Sequence, residues 1–153
     1  SALLIVLPLF IHSMVRIYSL PEGKALIVYL LFVIWAADIG AYLVGKVCGK
    51  HKLIPRLSPG KSWEGVAGAV LLSLFVAGIG YGYFKPASVL KWFSLALITM
   101  LISIFGDLFI SLLKRRCSLK DTGHIIAGHG GILDRLDSLI AAAPLFYLGL
   151  QCL

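Results

Sequence analysis

Apolar residues in this chain fall in long unbroken runs, not in the alternating or spaced patterns of a half-buried strand or a surface helix. Five runs stand out. The first covers about 2–18 and contains His12 and Arg16, and the second covers about 25–44 with Asp38 inside it. The third, about 64–84, is studded with Gly65, Gly68, Gly78, Gly80 and Gly82. The fourth, about 89–110, carries Asp107 near its end, and the fifth covers about 132–150. A helix needs about 20 mostly apolar residues to cross a bilayer. Runs of this length predict an all-α, polytopic membrane helix bundle of about five transmembrane helices. Small residues let membrane helices approach closely, and the glycines of the third run are read that way.

The polar segments between the runs are lopsided. Residues 45–63 hold Lys46, Lys50, Lys52, Arg56 and Lys61, and residues 111–131 hold Lys114, Arg115, Arg116 and Lys120. The opposite side holds Lys24, Lys85 and Lys91 with Glu22. Cytoplasmic loops are enriched in Lys and Arg, so both long basic loops are expected in the cytoplasm. The same rule accounts for the net charge of +7 without a nucleic-acid partner. A mean hydropathy of +0.96 lies outside the range of ordinary soluble domains. Cys48, Cys117 and Cys152 show no CxxC spacing, which argues against a zinc site or a disulfide framework. The chain opens directly in ALLIVLPLFI, with no basic n-region and no convincing cleavage site. That start predicts a truncated transmembrane helix, not a signal peptide, and a single transmembrane domain from the C-terminal part of a longer protein.

The carboxylates narrow the chemistry. Asp38, Asp107, Asp134 and Asp137 lie inside apolar runs, close to their expected cytoplasmic ends. Asp107 precedes Lys114 by about 10 Å of helix at 1.5 Å per residue. A carboxylate at that depth costs several kcal/mol unless it is paired, solvated or metal-bound, so the four are expected to converge on one polar cavity. Asp134 and Asp137, three apart, share a helix face. Helix capping and salt bridges to Arg135, Arg115 or Lys114 are the structural explanation; metal binding is the functional one, favoured for Asp107 with Asp134. Lys114, Arg115, Arg116 and Lys120 anchor a helix or meet phosphate. The turn GHGG at 128–131 precedes the last helix, where backbone N–H groups and the helix terminus suit an anion. Its His129 would contact phosphate, donate a proton or simply satisfy the turn. HExxH, nucleophile-elbow and Walker motifs are missing from the sequence.

The segment SLLKRRCSLKDTGHIIAGHGGILDRLD, 111–137, resembles the signature of the phosphatidate cytidylyltransferase (CDP-diacylglycerol synthase) family. Three other segments are similar to that family: ADIGAYLVGKVCGKHKL ending at Leu53, SPGKSWEG at 58–65 and FGDLFISLLKR at 105–115. Ala127 departs from the Pro or other turn-favouring residue usual before GHGG, and removes no chemical group. The resemblance implies CTP-dependent cytidylyl transfer to phosphatidate, giving CDP-diacylglycerol and pyrophosphate. It implies Mg²⁺, with a second cation left open, and a cytoplasm-facing site in the bacterial inner or plasma membrane. Lipid phosphate attacks the α-phosphorus in line, and crowded negative charge must be neutralised by metal and cations.

On this reading Asp107 and Asp134 bind the metal and Asp137 is a second ligand or supports one. Lys114, Arg115 and Lys120 hold CTP phosphates or pyrophosphate. Asp121, His129, Gly130, Gly131 and Arg135 complete the substrate-binding set. Ser58, Lys61 and Glu64 contact nucleotide or lipid phosphate, and Asp38 orients that loop or joins the metal network. Partners are CTP, bilayer phosphatidate and membrane lipid, with a homodimer open. The rival readings are a polyprenol kinase-like enzyme, an archaeal-type lipid cytidylyltransferase, an ion-coupled transporter and a non-catalytic anchor. A transporter predicts acids spread through the bilayer depth, whereas these cluster on one side beside cations.

Overall fold

The computed structural model describes residues 2–56, 58–116 and 132–153, with side chains described outside 2–3, 58–60, 110–111, 113–115 and 132–137. Helix α1 spans Ala2–Ser19 and α2 spans Gly23–Cys48. A short antiparallel hairpin follows, β1 (Lys52–Ile54) and β2 (Ser58–Ser62), with Lys52 opposite Ser62 and Ile54 opposite Ser58. Then come α3 (Trp63–Phe84), α4 (Val89–Arg116) and α5 (Ile132–Gln151).

All five expected helices form, at nearly the expected boundaries. Two ends differ. Helix α2 continues to Cys48, so the basic segment after it begins later than Gly45 and folds into the hairpin. Helix α4 continues to Arg116, which places Lys114 and Arg115 on a helix and not in a loop. Nothing in SLLKRR breaks a helix; Leu, Lys and Arg are among the strong helix formers, so polarity alone does not end the run. At the far end α3 stops on Lys85, whose left-handed backbone (φ 47°) lets its N–H reach the Tyr81 carbonyl at 2.9 Å, and Pro86 prevents continuation.

Among the described residues, three helices are long and apolar enough to cross a membrane: Gly23–Cys48, Trp63–Phe84 and Val89–Phe109. The stretches Leu4–Ser19 of α1 and Ser138–Gln151 of α5 are apolar but shorter. Large apolar side chains such as Leu71, Phe75, Ile79, Leu90 and Phe105 face outward. In water such a surface would be a liability; against lipid tails it is neutral.

Two apolar clusters hold the helices together. The larger joins α1, α2, α4 and α5 through Ile17, Leu30, Val33, Trp92, Leu95 and Phe146. Here Tyr29 stacks on Trp92 with ring centroids 4.8 Å apart, and Trp92 Nε1–H donates to the Ala77 carbonyl at 2.9 Å. The smaller cluster, Ala37, Ala69 and Met100, lies between α2, α3 and α4, with Ala41 and Ile104 packed on it. Buried Thr99 and Ser103 satisfy their hydroxyls on the Leu95 and Met100 carbonyls of their own helix. The small cluster brings three helix backbones close together directly beneath the candidate site.

Candidate active site

Helix α2 turns Asp38, Ala41 and Tyr42 to one side, the i, i+3, i+4 spacing of a single face. Helix α4 does the same with Ile104 and Asp107. These residues, with Leu53 of β1 and with Lys61, Ser62, Gly65 and Val66 at the junction of β2 and α3, line a cavity of about 200 Å³. Its floor is the small-residue cluster, since Ala41 and Ile104 belong to both.

Among the described residues, Lys61 is the cation that lines this cavity. Its Nζ donates to Asp107 Oδ2 at 2.7 Å, joining the hairpin to α4, and both side chains are only partly exposed. Asp38 lines the same space from α2. Among the described residues, two carboxylates and one ammonium therefore share a small chamber at the hairpin end of the bundle. Such a mixture suits an anionic substrate carried with a cation better than it suits an apolar ligand.

The segment 58–65 is organised by its own side chains. Ser62 caps α3, its Oγ accepting the Gly65 N–H at 3.1 Å. Gly65 lies so near α2 that a Cβ there would come within 2.9 Å of the Ala41 carbonyl oxygen. Trp63 N–H donates to the His51 carbonyl at 3.0 Å. Glu64 accepts from the His51 N–H through both oxygens at 3.3 Å, and its Oε1 lies 2.7 Å from His51 Nδ1. The motif is thus a strap. Ser62, Trp63 and Glu64 fasten the strand backbone, and Lys61 reaches across the cavity to Asp107.

The expected site residues are placed as follows. Glu64, expected on a substrate phosphate, accepts from His51, because a first-turn carboxylate faces the backbone folded over it. Asp107, expected as a metal ligand, accepts from Lys61 across the cavity. Asp38 and Asp107 converge as expected. The backbones of Ser58, Lys114, Arg115, Asp134, Arg135 and Asp137 lie in β2, α4 and α5, but their side chains lie outside the described set. Lys120, Asp121, His129, Gly130 and Gly131 lie outside the described residues. Sequence reasoning missed Ser62 and Tyr42. The first was legible as a serine at a helix start; the second follows from Asp38 by helical spacing.

The donor chemistry bears on metal binding. Among the described residues there is no group of three or more His, Cys, Asp or Glu side chains close enough to hold an ion. Asp38 and Asp107 offer carboxylate oxygens only, the ligand type of hard divalent cations. Mg²⁺ commonly uses one or two carboxylates and keeps water and substrate phosphate as its other ligands, so a two-carboxylate chamber already occupied by an ammonium fits it.

The sequence profile of the cytidylyltransferase family matches residues 1–153. The chain belongs to the cytidylyltransferase family. Within the family it is 43% identical to a phosphatidate cytidylyltransferase of Haemophilus influenzae over 130 residues, 82% of this chain and 45% of that protein. It is 45% identical to the Pseudomonas aeruginosa phosphatidate cytidylyltransferase over 146 residues, 94% of this chain and 54% of the relative. For the Bacillus subtilis protein of the same name the identity is 44% over 142 residues, 89% of this chain and 51% of the relative. The chain thus spans about half the length of the curated relatives it matches.

Proposed function

We propose that this chain carries the site for CTP-dependent transfer of a cytidylyl group to phosphatidate, releasing pyrophosphate and leaving CDP-diacylglycerol in the bilayer. The observation that carries the reading is the charged chamber in an otherwise apolar bundle, where Lys61 meets Asp107 with Asp38 alongside. Membership of the cytidylyltransferase family supports it, as does the name shared by the relatives.

A phosphatidate oxygen attacks the α-phosphorus of CTP, the bond to the β-phosphate bridging oxygen breaks, and pyrophosphate leaves. Lipid phosphate is already an anionic nucleophile, so no side-chain nucleophile is required. Asp107 and Asp134 would hold Mg²⁺, Asp137 would be a second ligand or support one, and Asp38 would orient the 58–64 loop or join the metal network. When bound, Mg²⁺ neutralises charge on the reacting phosphates. Lys114, Arg115 and Lys120 hold the leaving phosphates, Arg by paired donors and Lys as a point charge. Gly130 and Gly131 would offer backbone N–H groups to phosphate, and Asp121, His129 and Arg135 would complete the substrate-binding set. Lys61 and Ser58 face the nucleotide or the lipid phosphate, while Glu64 positions the strand that carries Lys61. The site would open to the cytoplasm.

The decisive test is Asp107→Asn and Asp134→Asn in the full-length protein, reconstituted with phosphatidate and CTP. Loss of CDP-diacylglycerol formation is expected. Near-normal turnover at saturating Mg²⁺ would remove the metal assignment, and turnover of a polyprenol but not phosphatidate would replace the substrate.

A further inference from the structure

The group proposed to receive the metal is already bonded to a cation of the protein itself. Lys61 Nζ lies 2.7 Å from Asp107 Oδ2, in the cavity that Asp38 also lines. Two carboxylates at the edge of a membrane repel one another and pay for lost solvation unless positive charge is near. An ammonium meets that need with one charge, and a divalent ion meets it with two. The two cations compete for the same oxygens.

The strap determines what happens to the loser. The backbone around Lys61 is fastened by the Ser62 cap, by Trp63 N–H on the His51 carbonyl and by the His51–Glu64 bonds. None of these bonds uses the Lys61 side chain. Its four-carbon stem can therefore swing while the strand stays in place, keeping the released ammonium at the cavity mouth.

We propose that Lys61 is an exchangeable placeholder: it neutralises Asp107 before a divalent cation binds, and the cation's arrival releases it to meet substrate phosphate. The proposal rests on the metal reading given under Proposed function and adds to it an order of events. Cation binding and nucleotide binding become coupled through one side chain, and the coupling is reciprocal. Lys61 is then a positioning residue for the metal and a contact residue for the phosphate.

The test uses the chain in lipid nanodiscs, with Mn²⁺ as the probe and its free concentration read by electron paramagnetic resonance. Lys61→Met removes the competing charge, and its Mn²⁺ affinity is expected to rise about fivefold, the scale of a partly exposed ion pair. Lys61→Arg keeps the charge and is expected to stay within about twofold of the unmodified chain on the same scale. Mn²⁺ is expected to strengthen CTP binding more in the unmodified chain than in Lys61→Met.

A measurement on the unmodified chain removes any dependence on the folding of variants. Acetic anhydride labelling, read by mass spectrometry, is expected to modify Lys61 faster once Mn²⁺ is added, with Lys24, Lys85 and Lys91 unchanged. Mn²⁺ binding that is equal or weaker in Lys61→Met, or Lys61 labelling unaffected by Mn²⁺, overturns the exchange alone. Failure of the unmodified chain to bind Mn²⁺ at all overturns the metal reading and the exchange with it.

Discussion

Gly40 of α2 and Gly68 of α3 face one another so closely that a Cβ on Gly40 would lie 2.4 Å from the Gly68 carbonyl oxygen, and one on Gly68 would lie 2.5 Å from that of Gly40. No side chain fits between them. This crossing sets the separation of Asp38, half a turn before Gly40, from the strand and helix start that carry Lys61 and Ser62. The glycines of α3 are not equivalent: Gly78 and Gly82 have nothing within 4 Å of an added Cβ.

Gly68→Ala is therefore expected to destabilise the bundle by about 1–3 kcal/mol, the range for overpacking a tight contact. Gly78→Ala is expected to be neutral or slightly stabilising, since alanine is the better helix former. Thermal unfolding of both variants in the same detergent checks the contrast. Equal losses in the two would mean that the crossing does not depend on the missing side chains.

Asp38 shares the chamber with Lys61 and Asp107. Removing its charge by Asp38→Asn is expected to weaken Mn²⁺ binding by about tenfold, the lower end of the loss seen when a residue supporting a metal site is changed. Helix content should be unchanged by circular dichroism. Unaltered Mn²⁺ affinity would place Asp38 outside the cation's reach.

The His51–Glu64 strap predicts a local effect. Glu64→Ala removes the acceptor of the His51 N–H and the partner of His51 Nδ1. Faster amide hydrogen exchange at His51 and Trp63 is expected, with little change in global stability because the pair is solvent-screened. The amides of α4 should not change. A global increase in exchange would show that Glu64 supports the whole bundle.

At the opposite end, Trp92→Phe loses the Nε1–H bond to the Ala77 carbonyl while keeping a ring to stack on Tyr29. A loss of about 1 kcal/mol in unfolding free energy is expected, the usual net value of one hydrogen bond. Mn²⁺ affinity should be unchanged, because the smaller core cluster separates this end from the charged chamber.

How much of this was legible beforehand follows from the range of each interaction. Helix-length apolar runs are local, so α1 to α5 could be placed from the sequence. Polarity misled at 111–116, where strong helix formers carry α4 onward despite their charge. The hairpin at Lys52–Ser62 was missed because its strands are short and basic and lack the apolar alternation that marks a strand. Asp38 and Asp107 were recognisable as costly membrane acids, and Lys61 as part of a family-like segment.

The sequence by itself determined the helical membrane bundle and the family, since each is written in contiguous residues. Only the tertiary structure decided that Lys61 and Asp107, separated by 46 positions, are partners and that Glu64 serves His51. The physical reason is that a charged side chain pairs with whatever the backbone brings within reach. Here that is decided by the Gly40–Gly68 crossing and the folded-back hairpin, not by neighbours along the chain.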